Sequence, residues 1–387
     1  MNVIHTRSFA RAGLLGNPSD GYFGKTLSFT FTQFGVSLAM SESTRIQFVQ
    51  GEVDDATFSS MDDLVRNLRL YGYYGGIRLL KAVTKRFFEH CASRGITLPK
   101  RNFKVEYKIN IPRLVGLSGS SAICSAMLKA LMKFYEVTIP LEYQPTICLE
   151  AEREELRINC GFQDRVIQIY NGLVFMDFEK SFVESHNYGR YEQLWRAAKP
   201  KAKDAIERSE IAEGLREQRN DRPLFDFDSG LRLYIAYDAT RAEESGEAHK
   251  EVKKLFEAKN ADVLSAMSEF ADIAQKGRDL LCSPSTSPSD LSAKLASLIN
   301  ANFDLRDRIF NVADENRRMV MTARKAGASA KFAGSGGAIV GTYEDEAQFE
   351  RLKSALAEIG SVTLKPTIAT TADESADFGA VGTWRNS

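Results

Sequence analysis

At 387 residues the chain is longer than one hydrophobic core usually serves, so two domains are expected. Hydrophobic residues make up 43% and charged residues 26%, an ordinary globular balance. The 51 Lys and Arg exactly offset by 51 Asp and Glu leave no overall field to draw in nucleic acid or an anionic membrane, so small-molecule chemistry is the readier expectation.

Residues 1–10 hold no apolar core of signal-peptide length, and no uninterrupted apolar run approaches the thickness of a bilayer; a cytoplasmic protein is expected. The five cysteines (Cys91, Cys124, Cys148, Cys160, Cys282) are scattered and without C-x-x-C pairing, which suggests reduced thiols. Four histidines, none spaced as a metal pair, argue against zinc.

Residues 7–20, R-S-F-A-R-A-G-L-L-G-N-P-S-D, read as a strand running into a turn marked by Gly16, Asn17 and Pro18. Strands are expected over 26–31 and 43–49, where β-branched and aromatic residues cluster, with Lys25 just ahead of the first. Residues 61–91 carry a helical pattern broken by a Gly-rich stretch at 71–76. Tyr73 and Tyr74 there could flank a nucleotide base, although packing is the commoner task for paired tyrosines.

Val105, Tyr107, Ile109 and Ile111 alternate with Lys104, Glu106, Lys108 and Asn110, the period of a half-buried strand. This strand delivers the chain into a Gly/Ser loop, and from Ser120 onward Ile123, Met127, Ala130, Leu131 and Phe134 lay one apolar stripe on a helix. The free N–H groups and dipole of that first helical turn form an anion site, with Gly116 and Gly119 allowing close backbone approach; phosphate is the natural guest. The spacing is neither a Walker loop nor a Rossmann fingerprint, and an ordinary capped loop would look much the same.

A helix over 149–156 carries Glu150, Glu152, Glu154 and Glu155, a set that usually marks a solvated face. Gly161 breaks it, which puts Asp164 at the start of a helix whose apolar face is Val166, Ile167, Ile169 and Tyr170; a carboxylate there complements the dipole. A strand at 173–178 closes a first domain of residues 1–180, and the charged stretch 184–220, within a connecting segment 181–229, reads as exposed helix. A strand at 231–237 opens a second domain, 230–369, followed by a polar loop whose Arg241, Ser245 and His249 could face substrate. Helices are expected over 251–281, 291–309 and 315–326, with a Ser/Pro loop at 282–290. Residues 327–340 form a Gly-rich turn between strands, in which Gly334, Gly336 and Gly337 exceed the needs of one turn. The tail, 370–387, is small and acidic and expected to be disordered.

The stretch P-R-L-V-G-L-S-G-S-S-A at 112–122 resembles the phosphate-binding motif of the GHMP kinases. Residues 7–20 resemble the first motif of that family and K-F-A-G-S-G-G-A at 331–338 the third, in the expected order. The likeness runs from about Thr6 to Ala369 and is strongest to members that phosphorylate D-glucuronate at its anomeric hydroxyl. It implies a two-domain α+β architecture, an S5-like N-terminal domain and a ferredoxin-like C-terminal one with the active site between them.

By that resemblance Gly116, Leu117, Ser118, Gly119, Ser120, Ser121 and Ala122 bind ATP, and Ser121 with Glu152 holds Mg²⁺, Glu150 being the reserve. Asp164 is the catalytic carboxylate, and Arg11 or Lys25 steadies the moving phosphoryl group. Asn17, Asp20, Asp164, Arg165 and Gly336 line the sugar site. A uronate carboxylate would need a cationic partner, for which Arg165, Arg7, Lys25 and Arg241 stand as candidates without a choice among them. The implied partner is a small sugar or sugar acid, with neither nucleic acid nor membrane involved. The rival readings are a 1-kinase of galacturonate, a neutral hexose or a heptose, and a sugar and ATP sensor without turnover.

Overall fold

The computed structural model describes residues 3–49, 76–195, 231–238, 246–283, 287–370 and 372–374. The first sheet is built from β1 (Ile4–Leu15), β2 (Lys25–Ser43), β3 (Gln47–Phe48), β4 (Asn102–Ile109), β5 (Leu173–Asp177) and β6 (Arg190–Trp195). β2 is its spine. One edge pairs antiparallel with β1 along its length, Ile4 opposite Met40 and Leu15 opposite Leu27. The other edge is divided, Lys25–Phe29 bonding to β5 and Val36–Ser43 to β4. The first expected strand, 26–31, runs on through polar residues to Ser43, and of the second, 43–49, Gln47–Phe48 is strand, as β3. The polar residues do not end the strand because β1 shifts register between Phe9 and Ala10, letting the pair bend at Gly35, whose N–H is taken by Asn110 Oδ1 at 2.7 Å.

Against this sheet lies the helix Gly119–Tyr135, α2, and on α2 in turn packs the preceding helix Gly76–Ser93, α1. The expected stripe of α2 is buried in full, and small Ala122, Ala126 and Ala130 among Ile123, Met127 and Leu131 let the helix sit close to the strands. Next come α3 (Gln144–Glu150), continued by a wider π turn (Ala151–Glu155), then α4 (Gln163–Tyr170) and α5 (Lys180–His186). The charged stretch expected as exposed helix begins differently: Arg190–Trp195 is β6, its residues paired with β5 from Asp177 to Leu173. Tyr170 and Phe178 stand edge-on to Tyr191 and give that charged strand an apolar anchor. Residues 196–220 lie outside the described residues, as do Tyr73, Tyr74, Arg241, Ser245 and the side chain of His249.

The second sheet holds β7 (Leu233–Asp238), β8 (Lys331–Phe332), β9 (Ala338–Thr342) and β10 (Ser361–Leu364) in the order β10-β7-β9-β8, all antiparallel. With it go α6 (Gly246–Glu257), α7 (Ala261–Leu281), α8 (Pro288–Ile309), α9 (Asp314–Lys325) and α10 (Glu346–Ala357). The helical run expected from 251 to 281 divides at Asn260, whose side chain caps α7 by accepting from Val263 N–H at 3.1 Å, after Lys259 has turned to φ 57°. Among the described residues no helix is long and apolar enough to cross a membrane.

After β10 the chain returns to the first domain. Thr32 N–H donates to Thr367 O, Ala369 N–H to Thr30 O and Gly172 N–H to Ala369 O, each at 2.9 Å. Within the stretch expected as a tail, Ala372–Glu374 form a short 3₁₀ turn, and Asp373 Oδ2 accepts from Thr370 N–H and Oγ1 at 2.7 and 2.8 Å.

Candidate active site

The Gly/Ser loop is held open by backbone conformation. Gly116 (φ 73°) and Ser118 (φ 66°) are left-handed, and α2 starts directly after them, so the free N–H groups of Gly119, Ser120 and Ser121 lie at its N-terminus. A Cβ on Gly116 would stand 2.6 Å from Gly336 O, and one on Gly334 only 2.1 Å from Gly116 O. The Gly/Ser loop and the later Gly-rich loop therefore meet backbone to backbone, which only glycine permits. Gly336 backs the Gly/Ser loop.

Arg11, buried on β1, ties these parts together. Its Nε donates to Asp164 Oδ1 at 2.7 Å, and its NH1 donates to Gly116 O at 2.5 Å and Ala333 O at 3.0 Å, one from each loop. Asp164 occupies the first turn of α4, as its place after Gly161 suggested. Burial works to raise the Asp164 pKa, but the guanidinium groups of Arg11 and Arg165 outweigh it and hold the carboxyl below its ordinary value. It is an ionised oxygen acceptor whose side chain remains partly exposed.

The next residue serves a second acid. Arg165 Nε donates to Glu152 Oε2 at 2.5 Å, and Ser121 Oγ donates to the same oxygen at 2.9 Å; both members of the ion pair are sealed from solvent. Glu152 rather than Glu150 is thus the carboxylate that meets the loop serine, while Glu150 faces Asn187 near the surface. Glu152 Oε1 is buried without a hydrogen-bond partner among the described residues. A hard oxygen left with an open lone pair, beside a serine hydroxyl, fits a magnesium ion.

Asp20 is buried on the turn after β1, where it accepts from Gln163 N–H and Nε2, each at 3.1 Å. Ser28 Oγ donates to Gln163 Oε1 at 2.7 Å, which fixes the amide with its NH₂ toward Asp20. Burial first, and the nearby Asp164 charge second, push the Asp20 carboxyl up to about 6. Asn17 is buried to the same degree, and its Oδ1 accepts from Lys331 Nζ.

Lys331 and Arg306 were not singled out from the sequence. Lys331, 1% exposed, donates also to Gly13 O at 2.6 Å and Phe332 O at 2.7 Å, and burial lowers its pKa well below the ordinary lysine value. Arg306 on α8 donates to Gly334 O at 2.8 Å and Ser335 O at 2.7 Å; burial lowers it to about 10. Lys331 opens the K-F-A-G-S-G-G run, which could have drawn attention; Arg306 sits in an unmarked helix. Lys25 goes elsewhere, its ammonium donating to Gln275 Oε1 at 2.9 Å and standing 3.7 Å from Asp177, and none of its described contacts reaches Arg11 or Asp164. Arg7 is buried on β1.

The family profile "GHMP kinases N terminal domain" matches residues 78–172, the stretch that holds the Gly/Ser loop, Glu152 and Asp164. The chain is 39% identical over 345 residues to probable glucuronokinase 2 of Arabidopsis thaliana, covering 87% of this chain and 84% of that protein. It is 38% identical over 344 residues to glucuronokinase 1 of the same plant, with the same coverage. Among solved structures, Lactococcus lactis galactokinase in complex with galactose superposes with a TM-score of 0.65 over 95% of this chain and 94% of that one, at 12% identity, a likeness of fold. With the motif loops facing each other across two domains and relatives this similar over nearly their full length, the chain belongs to the GHMP kinases, on the branch that holds the glucuronokinases.

Proposed function

We propose that the protein transfers the γ-phosphoryl group of ATP to the anomeric hydroxyl of D-glucuronate. The observation that carries this reading is the Arg11–Asp164 pair: one guanidinium joins the catalytic carboxylate to carbonyls of both Gly-rich loops, so acceptor and phosphate sites share one cation. The loop N–H groups from Gly119 to Ser121 cradle the ATP phosphates. Arg11 draws charge from the moving phosphoryl group in a transition state where positioning and neutralisation supply most of the acceleration. Asp164, ionised at neutral pH, accepts a hydrogen bond from the anomeric hydroxyl and then its proton; that hydroxyl is more acidic than an ordinary alcohol, so a weak base suffices. Magnesium, held by Ser121 and Glu152, would supply the remaining neutralisation of the phosphates.

Asp20 and Asn17 take the ring hydroxyls. An acidic sugar is supported by the relatives, glucuronokinases 38–39% identical to this chain over 87% of its length. The test is ADP release with Mg·ATP and D-glucuronate, D-galacturonate, D-glucose or D-galactose. Glucuronate should be preferred, and Asp164→Asn should lose about 10²–10⁴-fold in kcat while still binding ATP. Equal turnover of a neutral hexose would discard the substrate, and near-normal turnover by the variant would discard the role of Asp164.

A further inference from the structure

Residue 168 lies one turn after Asp164 on α4, and nothing in the reaction as derived uses it. Gln168 is fully buried, and its Nε2 donates to Ser118 O at 2.9 Å and to Phe9 O at 3.1 Å. Ser118 is the left-handed residue from which α2 starts, so its carbonyl sets the direction of the N–H groups that follow. The backbone oxygen of Gln168 in turn accepts from Lys129 Nζ, on α2, at 2.9 Å. The Lys129 ammonium is paired with Glu374, and the same carboxylate accepts from the side chain of Asn171, the residue that ends α4.

Glu374 reaches this place because the chain has crossed back from the second domain. The Thr367 and Ala369 carbonyls bond to Thr32 and Gly172, Ala369 N–H bonds to Thr30, and the Thr370–Asp373 turn then aims Glu374 at Lys129. The segment fastens the C-terminal end of the helix whose N-terminal end carries Asp164. Through Lys129 and Gln168 it also braces the phosphate loop from behind.

We propose that residues 367–370 and 372–374 act as a positioning strut for the nucleotide half of the site, with Glu374 as the contact that sets Lys129, Gln168 and hence Ser118. The inference rests on the reading of residues 116–122 as the ATP loop. The sugar half has its own supports, Gln163 on Asp20 and Lys331 on Asn17, which the strut does not touch.

The experiment compares wild type, Glu374→Gln, Lys129→Met and the double variant. The measurements are Mg·ATP binding by calorimetry without sugar, steady-state KM for ATP and for sugar, and the thermal midpoint. Both single variants should weaken ATP binding and raise its KM about three- to tenfold, part of the strength of a charge-assisted hydrogen bond passed along the chain of contacts. The KM for sugar should stay within about twofold, and the double variant should be no worse than the weaker single one, since both break the same link. A lowered midpoint with unchanged ATP constants, or an equal rise of both KM values, overturns the strut and leaves a clamp without a share in nucleotide binding. A wild type that turns over sugar but whose variants match it overturns the strut alone; a wild type that binds no ATP removes the reading beneath it as well.

Discussion

Replacing Arg165 by Met should cost the protein more than any other single change at the site. The guanidinium is 1% exposed and Glu152 0%, so the substitution leaves a carboxylate in a dry interior with Ser121 Oγ as its remaining donor. Its other oxygen already lacks a hydrogen-bond partner among the described residues, so nothing nearby takes over. Removing one member of a buried pair typically costs about 3–5 kcal/mol, a large share of the roughly 5–15 kcal/mol that holds most domains folded. With 387 residues and about 2.1 cal/mol/K of unfolding entropy per residue, ΔS is near 0.8 kcal/mol/K, so the midpoint should fall by about 4–6 °C. Scanning calorimetry of Arg165→Met, Glu152→Gln and the double variant measures it. Each single change strands one partner, whereas the double change strands neither, so the double variant should regain about 2 kcal/mol over Arg165→Met. A single variant within about 1 kcal/mol of wild type, or a double variant at the additive sum, would refute the claim that this pair is electrostatically closed.

Asp20 predicts a pH dependence. Its folded pKa lies near 6 against 3.8 for the free group, so the folded state holds a proton that the unfolded state has released. The resulting stability is fully present below about pH 3.8 and is lost as pH rises through 6, by up to roughly 3 kcal/mol; Asp20→Asn should flatten that slope in denaturant titrations at pH 4 to 7. In activity the direction reverses, because a protonated Asp20 loses acceptor capacity: kcat/KM for sugar should fall below pH 6 in wild type. Gly334→Ala would place a methyl group 2.1 Å from Gly116 O and 2.9 Å from Arg11 NH1, so kcat should drop at least about tenfold, while Gly21→Ala, with open space around it, should change little. Equal activity of the two alanine variants would show that the loops need not touch.

The three motif loops were legible because each combines glycine with a change of period, from strand to helix or strand to turn, and such junctions are local. Glu152 came from the resemblance rather than from its local pattern, which reads as a solvated face: its neighbours Glu154 and Glu155 do pair with Arg86 and Lys85 on the surface, while Glu152 turns inward to Ser121. What could not be read was set by partners distant in sequence. Lys331 is bound by Gly13 and Asn17, more than 300 residues earlier, and Arg306 by a loop folded over it; neither carries a local signature. Lys25 shows the converse, a lysine in the right stretch whose contacts turn it toward Gln275 and Asp177. β6 was read as helix because dense charge masks a weak alternation, and its pairing with β5 decided the matter.

The return of the chain to β2 has a consequence for how the protein is made. Thr30 and Ala369 are bonded across 339 positions, and the middle of β2 between its two partners is covered only when that late segment arrives. During synthesis the first domain emerges with the Thr30 carbonyl and the Thr32 N–H still offered to any passing strand. Its final closure waits on residues 367–369, so a transcript cut short of codon 369 would yield a first domain with an open, adhesive seam.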